Sequence, residues 1–117
     1  MRVNQKACRR AAEHLYSARH LCCGRAPLDG ELDEEDTRAD AAMRSLTRGH
    51  LAVNAARRAE PRGPIRTQMA RAERIASEAR RTLAGGDMDK CARLIGLALD
   101  LLANADDLCA SDGKLQG

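Results

Sequence analysis

Five cysteines and three histidines are the residues best suited to chemistry in this chain of 117 residues. Cys8 and Cys22 recur at heptad spacing, so on a helix they share one face. Cys91 and Cys109 fall on apolar positions of the last helical stretch. If those two helices are antiparallel neighbours, Cys8 approaches Cys109 at one end, and Cys22 or Cys23 approaches Cys91 at the other. Disulfides are then thinkable wherever Cα atoms come within about 7 Å. The reading preferred here is simpler: buried, reduced thiols acting as small hydrophobes, with Cys23 the thiol at the surface. Zinc wants four N or S ligands in a tetrahedron. His20, Cys22, Cys23 and Cys91 could gather at one end, but no C-x-x-C pair exists, so neither metal nor cofactor is assigned. Cys23 also sits at the wrong end of a helix dipole for a lowered thiol pKa, despite Arg25 nearby.

Arginine is the other reactive resource. The net charge of +3 hides segregation. Residues 1–25 carry six cations and one anion, residues 26–40 one and seven, residues 41–86 ten and three, and residues 87–117 three and six. Much of this is helix-dipole complementarity, with anions at helix starts and cations at helix ends. Glu78 also has Arg74 at i−4 and Arg81 at i+3 as local partners. The excess lies on the second and third helical stretches. Arg44, Arg48 and Arg58 share one face, and Arg57, Arg58, Arg62 and Arg66 crowd the following connection. Guanidinium suits carboxylate and phosphate alike, because its fork donates two parallel hydrogen bonds. Glu31, Asp33, Glu34, Glu35 and Asp36 form an opposing acidic cluster. Tyr16 is the one aromatic able to stack on a base, and no DNA-binding motif is present.

Two pairings of these residues, Arg44-x5-His50 and Arg9-x4-His14, resemble the short Arg-to-His motif of the HEPN ribonucleases, which are also compact helical bundles. The resemblance covers those few residues. It implies general-base chemistry on RNA by His50 or His14. The residue-based alternative is a histidine near a helix seam, satisfied by a neighbour. The sequence has no phosphate-binding glycine loop, no G-x-S-x-G and no H-E-x-x-H. Asp106 and Asp107 point to different helix faces, and the acidic run at 33–36 lacks the spacing of a calcium loop.

Helices must position all of these groups. Ala and Leu dominate the apolar content, and aromatics are 1% of residues. That composition favours helix over strand. Four amphipathic stretches are expected, at about 4–23, 33–60, 64–84 and 87–109. Gly24, Pro61-Arg62-Gly63-Pro64 and Gly85-Gly86 end or break them, and Pro64 suits the first position of a helix. In the last stretch Asp89, Arg93, Asp100, Asn104 and Asp107 form one narrow polar stripe. The wide apolar arc opposite, Leu99 and Leu102 included, must be covered by more than one neighbour. Residues 111–117 read as a flexible tail. The predicted fold is all-α, a single domain over residues 1–110 in an antiparallel up-down-up-down four-helix bundle; two stacked helical hairpins are the alternative.

The N-terminal MRVNQKACRRAAEH has charges where a signal sequence needs an apolar core, and no apolar run reaches the 20 or so residues of a membrane span. A cytoplasmic protein is expected. An Ala-rich core buries little area per residue, so self-association, a dimer first, is expected to bury more. The function favoured is non-catalytic, stoichiometric binding of a protein partner through charged helix faces, as an adaptor, regulator or inhibitor. The competing reading is nucleic-acid binding by the arginine face. A HEPN-like ribonuclease and a Cys/His metal protein come after these.

Overall fold

A computed structural model describes residues 3–23 and 36–116, with side chains over 5–23 and 38–110. Four helices follow in order: α1 (Val3–Cys22), α2 (Asp36–Ala59), α3 (Pro64–Ala84) and α4 (Met88–Gln116). The expected loop at 24–32, and with it Glu31, lies outside the described residues, as do Asp33, Glu34 and Glu35. Asp36 opens α2, but its side chain is not described.

The punctuation between α3 and α4 is local chemistry. Pro64 stands at the start of α3, where a missing N–H costs nothing. At the far end Gly86 adopts φ +91°, which only glycine takes without strain. The Gly86 N–H donates to the Leu83 carbonyl at 2.9 Å and the Asp87 N–H to the Thr82 carbonyl at 3.2 Å. That is a Schellman closure. Asp87 then turns the chain into α4, its Oδ1 accepting from the Lys90 N–H at 3.0 Å. The carboxylate satisfies one of the donors a helix start leaves unpaired.

Each helix packs on its two neighbours around a ring, with α4 closing against α1. Adjacent helices run antiparallel. Arg9 near the start of α1 meets Asp106 near the end of α4, while Cys22 at the end of α1 meets Cys91 at the start of α4. Across the other side, His50 meets Arg80, and Asn54 and Arg57 meet Glu73. The protein is an up-down-up-down four-helix bundle.

Small residues set its core. Ala11, Ala18, Ala42, Ala56, Ala72, Ala76, Ala79, Ala98 and Ala105 are buried, with Leu15, Leu46, Met69, Ile95 and Leu102 filling the space between them. Leu15 owes its place to Gly49, because a Cβ there would stand 2.7 Å from Leu15 Cδ2. The polar stripe of α4 is exposed along its length, as its spacing requires. Two expectations need correction. Leu99 is only half-buried, because the apolar arc of α4 is wider than α1 and α3 together cover. The fourth helix also continues past Cys109 to Gln116, since no proline stands there to stop it. Among the described residues no helix is long and apolar enough to cross a membrane.

Candidate functional site

The outer face of α2 carries Arg44, Arg48, Leu51, Ala55 and Arg58 at alternating steps of four and three, and all five are exposed. They form a straight stripe about 21 Å long at the 1.5 Å rise of a helix. Leu51 stands at its middle, 61% exposed. Among the described residues no carboxylate pairs with Arg44, Arg48 or Arg58. Arg62, in the connection to α3, is exposed, and Arg66, in the first turn of α3, is half-buried. Together they prolong the basic surface around one end of the bundle.

Arg57 does not belong to that surface. It turns inward from α2, 24% exposed, and its Nε donates to Glu73 Oε2 on α3. Asn54, one turn earlier, donates to the other Glu73 oxygen at 2.6 Å. Burial works to raise the Glu73 pKa, but the hydrogen bonds from Arg57 and Asn54 outweigh it and hold the carboxyl below its ordinary value. Another turn along the seam, Arg80 Nη1 donates to His50 Nδ1 at 3.1 Å. Burial lowers the His50 pKa, the Arg80 charge lowers it further, and Glu73 opposes them. His50 is therefore neutral at pH 7, and the hydrogen bond assigns its proton to Nε2.

This geometry separates the residues of the Arg-to-His motif. Six residues on a helix are about 120° apart around the axis, so Arg44 faces solvent while His50 faces α3. In this structure the Nδ1 lone pair of the neutral imidazole accepts from Arg80. Arg9 is likewise engaged with Asp106 rather than with His14.

The α1–α4 side is built differently. A groove of about 320 Å³ runs between these helices, lined among others by Arg9, Tyr16, Arg19, Leu99, Asp100 and Asp106. Arg9 spans it to Asp106 at 3.4 Å. Arg19 lies along α4 at Gly96, where a Cβ would come within 3.7 Å of its guanidinium carbon. Tyr16 is 63% exposed. It stands on α1 and is not part of the α2 stripe.

The same seam carries the buried thiols, of which Cys8 lines the groove. Cys22 and Cys91 face each other with Sγ atoms 3.8 Å apart, both buried. Cys8 and Cys109 are buried at the opposite end of the same seam. Burial pushes the Cys8 thiol up to about 12, helped by the neighbouring Cys109, Asp106 and Glu60. Cys23 is exposed and lines a smaller hollow with Tyr16, Arg19 and His20. His20, Cys22, Cys23 and Cys91 are thus not gathered into one donor set. Among the described residues no group of three or more His, Cys, Asp or Glu could hold a metal.

Sequence reasoning missed three features of these surfaces. Leu51 lies on the arginine stripe by simple helical spacing and could have been found. The partners of Glu73 and His50 depend on the register of α2 against α3, which no local pattern encodes. Glu60, 3% exposed just beyond α2, had no signal separating it from its charged neighbours. Comparison with protein-family models, curated proteins and solved structures finds no match for this chain.

Proposed function

We propose that the protein is a non-catalytic docking module that binds an acidic protein partner stoichiometrically through the outer stripe of α2. The observation that carries this reading is Leu51, exposed at the centre of a row of arginines that have no carboxylate partner among the described residues. Protein interfaces take their energy from an apolar or arginine centre that becomes desolvated, with charge around it setting specificity and encounter rate. A nucleic-acid backbone would use the arginines but gain nothing from the leucine, and the face offers no aromatic for a base. One helix face covers less than the roughly 800 Å² per partner of a standard interface. The partner must therefore also reach the Arg62–Arg66 corner. Cytoplasmic residence and self-association belong to the same proposal.

The test is capture from the source cells through a photo-crosslinker at Ala55, the exposed stripe position next to Leu51. A defined acidic protein should be retained by the native chain and by an Arg71→Glu, Arg74→Glu control on α3. It should be lost with Arg44→Glu, Arg48→Glu, Arg58→Glu or with Leu51→Asp. The same preparations are scanned from 240 to 300 nm, where a chain with one Tyr and no Trp is nearly dark. A strong 260 nm band that salt removes would overturn the protein-partner reading in favour of nucleic acid.

A further inference from the structure

Four of the five cysteines fall on one seam, two on α1 and two on α4, with one from each helix at either end. That seam is special in the topology. The other three adjacent helix pairs are consecutive in the chain, whereas α1 and α4 are first and last in the order of the described helices and no single connection among them joins the two. An alanine-rich seam offers little apolar area to compensate. We propose that Cys22 and Cys91 are a thiol–disulfide site, oxidised by a small-molecule disulfide to a bond that staples the end of α1 to the start of α4.

The distance supports it. Sulfurs at 3.8 Å are in van der Waals contact, and side-chain rotation must bring them to the roughly 2.05 Å of a bond. The environments of Cys22, Cys91 and Cys8 also differ. When Cys22 ionises, the remaining Cys91 S–H donates to it, which lowers the Cys22 pKa against the effect of burial. Cys91 is pushed up by the same bond and by burial. Cys8 is pushed up by burial, with Cys109, Asp106 and Glu60 adding to it. The Cys22 thiolate therefore attacks one sulfur of the oxidant and expels a thiol. The Cys91 thiolate then attacks the mixed disulfide and expels the second. Two protein thiols are oxidised and one small disulfide is reduced to two thiols, so atoms and electrons balance. Exposed Cys23 stands beside Cys22 at the end of α1.

The bond would close a loop spanning 69 residues, which restricts the unfolded chain strongly. The experiment treats the reduced full-length protein with oxidised glutathione, blocks the remaining thiols, and maps the peptides by mass. A linked Cys22–Cys91 peptide lighter by two hydrogens is expected. The thermal midpoint should rise by about 10 °C and fall back on reduction. Cys22→Ala and Cys91→Ala should each abolish that rise, and Cys8→Ala should keep it. Glutathione held on Cys23 alone, a Cys22–Cys23 link, or a Cys8–Cys109 link in its place would overturn the proposal. The peptide map of the native chain decides the matter even if a variant fails to fold.

Discussion

The α1–α4 and α2–α3 seams join antiparallel helices around the same core, yet different physics holds them. Along α1–α4 the buried contacts are mostly apolar side chains and thiols; Arg9 is 53% exposed, and the buried charge among the described residues is confined to Asp106 and Glu60 near Cys8 at one end. Along α2–α3 charge goes inward. Arg57, Asn54 and Glu73 interlock, and Arg80 caps His50. The first seam gains by removing surface from water, and register matters little to that gain. The second gains only while every polar group keeps its partner, so it fixes rotation and register more than it adds stability. The arginines left over on the outer face of α2 are those the second seam did not consume.

The largest expected effect lies where α4 meets the core. Ile95→Ala and Leu102→Ala, both at fully buried positions, should each cost about 2–5 kcal/mol in urea unfolding. Leu99→Ala, on the wall of the α1–α4 groove, should cost about half that or less. Equal losses at Leu99 and Leu102 would mean the groove is closed in solution.

Next comes the polar seam. Glu73→Gln leaves Arg57 without a counter-charge and should cost about 1–3 kcal/mol. Replacing both partners, Arg57→Met with Glu73→Leu, should recover most of that loss, as paired apolar replacements often do. A double variant worse than the single one would show that the ion pair itself stabilises the bundle.

Acid should separate the seams. The folded pKa of His50 lies below its ordinary 6.5, so below that pH the unfolded chain takes up a proton first and stability falls. Glu73 is depressed too, and its contribution is lost at lower pH, as the medium falls from its ordinary 4.5 through its folded value. His50→Gln should remove the first stage and leave the second, read as unfolding free energy against pH. The smallest effect belongs to Arg9→Ala, whose exposed pairing with Asp106 should change stability by no more than about 0.5 kcal/mol.

What the sequence made legible follows the same division. Pro64 and Gly85-Gly86 are strong punctuation, and α3 begins and ends where they place it. The expected acidic start of α2 at 33–35 lies outside the described residues, and the described part of the helix begins at Asp36. Helical spacing was enough for the exposed stripe of α4 and for bringing Cys22 or Cys23 to Cys91, once α1 and α4 were taken as antiparallel; the structure selects Cys22. It was not enough for Arg57. Arg57 and Arg58 are equivalent in composition, and only the rotation of α2 against α3 sends one inward and the other to solvent. For the same reason His50 was readable as a histidine near a seam, while its partner Arg80 was not.

The most direct test of the two-seam account is residue-resolved amide hydrogen exchange on the reduced protein at pH 7 and pH 5, compared as protection factors. Protection around His50, Asn54 and Glu73 should fall further at pH 5 than protection around Leu15, Ile95 and Leu102. A uniform loss, or a loss that begins along α1 and α4, would contradict it.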